Sequence, residues 1–155
     1  MPEKSDRVYA TNRKAYHDYY IQESVEAGLA LTGTEVKSVR EGKINLRDSY
    51  AKVKDGEIWL YNSFIATYDQ GNRFNHETGR PRKLLLHKGE IARLAGLTQE
   101  TGKTLVALKV YDRKGHIKVE IGLARGKKEY DKREAIARKE AEREVERTLK
   151  EAARR

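Results

Sequence analysis

Polar and apolar residues alternate along this chain in several short runs. Val25, Ala27, Leu29 and Leu31 are separated by smaller or more polar neighbours, the period-2 pattern of a strand with one buried face. Residues 16–23 are expected to form its partner strand. The pattern then changes: Thr32 and Glu35 stand three apart as in a capping box, Val36 and Val39 follow one turn apart, and Gly42 supplies a stop. A short helix over 33–41 is predicted. Runs at 49–54 and 57–68 flank Asp55-Gly56, a pair that tolerates positive φ and so predicts a hairpin.

Residues 67–82, rich in Gly, Asn, Asp and Arg, read as an exposed loop, long enough either for a binding role or for plain flexibility. Leu84, Leu85 and Leu86 lead into 87–97, where Ile91, Leu94 and Leu97 at three-residue intervals predict a second amphipathic helix that plugs the sheet. A second hairpin is expected from 105–111 and 116–124 around Arg113-Lys114-Gly115. About six antiparallel strands with two short helices make a mainly β fold, a small closed or partly open barrel. From Lys127 onward Glu, Lys, Arg and Ala dominate, and Ile136, Val145 and Leu149 are too sparse to form an apolar face. Glu134 with Arg138 and Glu146 with Lys150 favour helix locally. Such a segment cannot bury itself, so the tail is expected to be helical only against a partner. The chain divides into a flexible N-terminus (1–11), a body (12–126) and a basic tail (127–155).

Charge adds a partner. Lysine and arginine total 33 against 24 aspartate and glutamate, a net charge of +9. A surplus of that size favours a polyanion held by release of condensed counterions. The opening residues lack an apolar signal core and no apolar run reaches ~20 residues, so a cytoplasmic protein without a membrane partner is expected. With no cysteine, disulfides and thiolate chemistry drop out.

Enzyme signatures fail on spacing. Gly96, Gly102, Lys103 and Thr104 resemble a phosphate loop, but five residues separate the glycines where the motif needs four, and the stretch leaves a helix for a strand. His17, His76, His87 and His116 are scattered, without the pairing of a metal-binding helix. No nucleophile elbow surrounds any serine. The expectation is no enzyme, cofactor or metal.

The positive signals are basic clusters beside aromatics: Asn12-Arg13-Lys14-Ala15-Tyr16-His17; Lys37, Arg40 and Lys43; Arg80, Arg82 and Lys83; Arg125, Lys127 and Lys128. Each supplies charge for phosphates, and the tyrosines supply rings for unpaired bases. Taken singly, each is equally an ordinary solvated surface. Glu26 is either a turn carboxylate or an acceptor that meets base donors or orients an arginine. The residues alone leave open a specific RNA-binding factor, a ribosomal or generic single-strand RNA protein, and an enzyme with an unadvertised cleft.

Five stretches in order resemble the SsrA-binding protein (SmpB) family: Asn12-Arg13-Lys14-Ala15-Tyr16-His17-Asp18-Tyr19, Glu26-Ala27-Gly28-Leu29-Ala30-Leu31, Gly33-Thr34-Glu35-Val36-Lys37-Ser38, Arg82-Lys83-Leu84-Leu85-Leu86-His87, and Gly122-Leu123-Ala124-Arg125-Gly126-Lys127-Lys128-Glu129-Tyr130-Asp131-Lys132-Arg133. The resemblance implies a six-stranded antiparallel barrel resembling an oligonucleotide-binding fold. It implies that the body binds the tRNA-like domain of transfer-messenger RNA (tmRNA) and delivers it to stalled ribosomes for trans-translation, with elongation factor Tu joined through the shared RNA and the protein a monomer. RNA contact is carried over to Asn12, Glu26, Leu85 and Lys118, with Arg13, Lys14, His17, Lys37, Arg40, Arg82 and Lys83 as basic neighbours. The small-subunit decoding centre and the empty mRNA channel are assigned to a tail beginning Lys127, Lys128, Tyr130, Asp131, Lys132 and Arg133. Tyr130 stands where many members carry histidine, and keeps the capacity to stack.

Overall fold

The computed structural model of the chain describes residues 7–68, 75–100 and 102–154, the side chains of 128–134 and 154 excepted. In chain order the elements are β1 (Val8–Thr11), α1 (Arg13–Asp18), β2 (Tyr19–Leu29), α2 (Gly33–Arg40), β3 (Ile44–Asn45), β4 (Tyr50–Lys54), β5 (Glu57–Tyr61), β6 (Phe64–Ile65), β7 (Arg82–Leu85), α3 (Lys88–Thr98), β8 (Lys103–Arg113), β9 (His116–Gly126) and α4 (Lys127–Arg154). Six strands close a ring of antiparallel pairs, β8-β4-β5-β7-β2-β9 and back to β8. β1 shares the edge of β8 with β4, pairing Thr11 with Lys109 while β4 pairs Ala51 with Leu105. A separate two-stranded ladder joins β3 to β6.

The turns form where expected. Asp55 and Gly56 take φ of 54° and 75°, and Lys114 and Gly115 take 52° and 81°. Two consecutive left-handed residues twist a turn in the sense of its flanking strands, which is why these pairs close hairpins. The interior is aliphatic: Ala27, Leu29, Ile58, Leu60, Leu84, Leu105, Val110, Val119 and Ile121 are buried there, together with Val39 of α2 and Ile91 and Leu94 of α3. The capping box of α2 is complete, Thr32 accepting from the Glu35 backbone N–H and Glu35 accepting from that of Thr32.

Three expectations are revised. Residues 16–23 are not a partner strand: Tyr16 to Asp18 end α1, and Tyr19 onward continues directly into the 11-residue β2. α1 starts at 13 because Asn12 caps it, its Oδ1 accepting from the Ala15 N–H at 3.2 Å. It then covers a small second cluster of Ala15, Val106, Leu108 and Ala124 on the outer face of β8 and β9. Residues 8–11, expected in a flexible N-terminus, form β1. The second hairpin strand of 57–68 ends at Tyr61, where Asn62 adopts positive φ and the chain turns toward β6. The tail forms α4, the helix expected of it. Its Ala, Glu, Lys and Arg are strong helix formers, and Ile136, Val145 and Leu149 stay exposed along it, so the helix buries no apolar face of its own. No helix among the described residues is long and apolar enough to cross a membrane.

Candidate nucleic-acid interface

Strand alternation sets the outer face of the ring. Val25, Ala27 and Leu29 of β2 point into the core, so Glu26 and Gly28 point out. In β9, Ile117, Val119 and Ile121 point in, leaving Lys118 and Glu120 on the other side. Pairing then aligns two rows across the strands: Tyr111–Lys118–Gly28–Leu85, and Lys109–Glu120–Glu26. Gly28 makes the dip between them. A Cβ there would stand 3.0 Å from the Leu85 Cβ, so only the absence of a side chain lets β7 come this close. Beside the dip opens a groove of about 520 Å³ lined by Glu26, Lys83, Leu85, His87, Lys88 and Lys118 among others. A second groove on the far side of Leu85 and Lys118 reaches Arg40 and His116.

Glu26 is held in place. Its carboxylate accepts from the Tyr111 hydroxyl at 2.5 Å and pairs with Arg113 at 2.8 Å. Burial, then the hydrogen bond and the charge of Glu26, push the Tyr111 hydroxyl well above the ordinary tyrosine range, so it remains a donor at any physiological pH. Of the roles left open for Glu26, orienting an arginine is the one with a partner in place. Leu85 is 52% exposed, an apolar tip between two lysines of the groove. Lys83 is paired with Glu57 at 2.8 Å across a surface where both remain substantially exposed, so a phosphate can compete for it.

The other predicted residues scatter. Arg13, Lys14 and His17 ride on α1, where Lys14 pairs with Asp48 at 2.5 Å and His17 contacts Asp18. Lys37 lies over the Tyr68 ring at 5.4 Å, and Arg40 donates to the Gly115 carbonyl at 3.2 Å. At the tail junction Lys127 lies over the Tyr20 ring and donates to the Tyr16 carbonyl at 3.3 Å. The side chains of Lys128, Tyr130, Asp131, Lys132 and Arg133 lie outside the described residues, though their backbone belongs to α4.

Two residues placed on the RNA surface by the sequence are interior. Asn12 is buried, and its amide donates to the carbonyls of Leu46 at 3.0 Å and Ala107 at 2.9 Å while its oxygen caps α1. Arg82 is wholly buried: its guanidinium donates to Glu35 Oε2 at 2.6 Å, to Ser63 and to the carbonyls of Glu77 and Thr78. Both assemble the surface from beneath.

The family model described as SmpB protein matches residues 9–151. The chain belongs to the SmpB family. It is 60% identical over 145 residues to the SsrA-binding protein of Carboxydothermus hydrogenoformans, covering 94% of this chain and 97% of that one. It is 61% identical to the SsrA-binding protein of Shouchella clausii, over 94% and 93% of the two chains. Among solved structures, one described as "tmRNA-SmpB: a journey to the center of the bacterial ribosome" aligns with a TM-score of 0.66 at 52% identity, covering 78% of this chain and 85% of that one.

Within this SmpB fold the sequence missed Tyr111 and Arg113, which set the orientation of Glu26. A register shift between Ala107 and Lys109 explains the omission. Plain alternation from Leu105 and Ala107 would turn Tyr111 inward, whereas the irregularity puts Val110 in the core and Tyr111 against Glu26. His87 and Lys88 were passed over because they look like the start of a helix, which they also are.

Proposed function

We propose that this chain binds the tRNA-like domain of tmRNA in the groove between Leu85, Lys83, Lys118 and Glu26, and delivers it to stalled ribosomes. The observation that carries the reading is the meeting of these four residues, drawn from three strands, around one groove, in a chain whose relatives are SsrA-binding proteins. Lys83, Lys88 and Lys118 supply positive charge for the phosphate backbone, which positions the RNA. Glu26 and the Arg113 it holds supply directed acceptors and donors, and Leu85 packs on a sugar or base. Arg13, Lys14 and His17 on α1 and Lys37 and Arg40 around α2 extend the contact, while Asn12 and Arg82 act by fixing the backbone beneath it.

The tail has the second role. Its root, from Lys127 through Tyr130 to Arg133, addresses the decoding centre, with the Tyr130 ring stacking on an exposed base, and the remainder enters the mRNA channel. The protein acts in the cytoplasm as a monomer and a binding factor without a chemical step, meeting elongation factor Tu through the shared RNA.

The test is a competition between the tmRNA tRNA-like domain and ordinary tRNA at one fixed salt concentration. A strong preference for the tRNA-like domain, lost on Glu26→Gln, is expected. Equal binding to both would reduce the reading to a generic basic RNA-binding module.

A further inference from the structure

The outer face of the ring continues beyond the groove onto β7, β5 and β4. Lys83 of β7 stands opposite Trp59 of β5, and Trp59 stands opposite Lys52 of β4. All three point away from the core formed by Ile58, Leu60 and Leu84. The next cross-strand pair on the same face of the hairpin is Tyr50 with Tyr61, stacked at 5.4 Å between centroids and 19° between planes. A shallow cleft of about 360 Å³ beside them is lined by Lys54, Glu57, Trp59, Tyr61 and Pro81.

The partners on this face are unevenly shared. Lys52 lies over the Tyr50 ring at 5.6 Å, Tyr50 and Tyr61 stack on each other, and Lys83 pairs with Glu57. Trp59, half-buried and the chain's one tryptophan, has no stacked ring, no cation over it and no hydrogen bond from its indole N–H among the described residues. An indole is the largest stacking surface a protein offers and the best cation acceptor, so its neglect by two adjacent lysines leaves both its face and its donor available. The lysines stand on either side of it, about 10 Å apart across two strand spacings. An aromatic plane between two cations is the arrangement that holds an unpaired nucleotide, its base on the ring and the flanking phosphates on the charges.

We propose that this face is a second RNA subsite, in which an unpaired base stacks on Trp59 with Lys52 and Lys83 holding the adjoining phosphates. The occupant is the same RNA that fills the first groove, because Lys83 and Glu57 border both: Glu57 lines each cleft and Lys83 lines the first while facing Trp59. The inference therefore rests on the proposed function, and it adds where on the barrel-like ring that RNA continues.

The test uses the full chain and the tRNA-like domain of tmRNA. Because Trp59 is the chain's one tryptophan, its emission reports on this face without a label. Saturating RNA is expected to quench and shift that emission. Trp59→Leu is expected to weaken binding between roughly 5-fold and 150-fold, the range for losing one stacked base, with Trp59→Phe retaining affinity within a few-fold. If the wild-type chain prefers the tRNA-like domain but its emission is unchanged and Trp59→Leu binds equally well, the subsite is overturned while the first groove stands. Equal weakening of both variants with unchanged emission also overturns it, since loss would then reflect packing. If the wild-type chain shows no preference for this RNA, the proposed function falls and the subsite with it.

Discussion

Glu35 carries its carboxylate where water does not reach. Burial alone would raise its pKa, yet hydrogen bonds from Arg80, the Thr32 backbone and Arg82 outweigh that effect and hold it below the ordinary carboxylate range. The sign follows from linkage: a group whose pKa is lower in the folded state stabilises the fold above its unfolded pKa, and that contribution is lost as pH falls through the folded value. Unfolding free energy is therefore expected to be flat above about pH 5 and to decline with acid below the ordinary glutamate pKa of about 4.3. Urea titrations across pH check this, and Glu35→Gln should flatten the acid limb. Arg82→Ala should cost about 3–5 kcal/mol, since it strips a buried charge of one partner and three carbonyls of their donor. Arg82 also shows where residue-level reading stops. Inside Arg80, Arg82 and Lys83 it looks like a surface cation, and nothing nearby reveals that Glu35, 47 positions away, draws it inside. Glu26 was legible as a special carboxylate, but its partners Tyr111 and Arg113 lie some 85 residues along the chain and were not.

Elements built by local chemistry are the ones the sequence discloses. The Asp55-Gly56 and Lys114-Gly115 turns, and the Thr32/Glu35 cap, each act within four residues, and each formed as predicted. α1 stayed hidden because one capping asparagine begins it and only Ala15 is buried in it, which leaves no apolar period to detect. A close approach between strands is equally invisible from sequence yet testable. A Cβ at Gly122 would lie 2.8 Å from Leu108 Cδ1 and 3.1 Å from Ile21 Cγ2. Gly122→Ala is expected to destabilise the contact of β8 and β2 with β9 by about 1–3 kcal/mol, as overpacking does, read as a lowered urea midpoint at unchanged slope. The tail is separable in the other direction. Deleting 131–155 should leave affinity for the tRNA-like RNA within a few-fold and abolish trans-translation, the tagging of incomplete proteins on stalled ribosomes, in a reconstituted translation assay. A loss of RNA affinity as large as that of Glu26→Gln would show that the helix belongs to the RNA grip.

For the whole molecule the decisive event is closure of the ring. β2 must find both β7 and β9, partners that begin 53 and 87 residues beyond its own end, between Leu29 and Arg82 and between Leu29 and His116. The antiparallel sense and the strands β2, β4, β5, β8 and β9 were readable from alternation and turn chemistry, but β7 and the order of the ring were not, because pairings this distant leave no local mark. Net charge belongs to the same scale. At +9, RNA affinity should fall linearly on a logarithmic salt axis, and Lys118→Ala should reduce the slope by about one if its ammonium contacts a phosphate. An unchanged slope would remove Lys118 from the phosphate contacts.

The tail helix also has a mechanical meaning. From Lys127 to Arg154 it runs 28 residues, about 42 Å at 1.5 Å per residue, while the described side-chain hold at its root is Lys127 against the Tyr16 carbonyl and the Tyr20 ring. Where the helix holds its length, angle becomes distance: a tilt of ~10° at the root would sweep the far end through roughly 7 Å over that length. Substituting Tyr20 would therefore change where the tip arrives without altering a single atom of the tip. On that geometry, residues on α1 and early β2 would aim a segment far away from them.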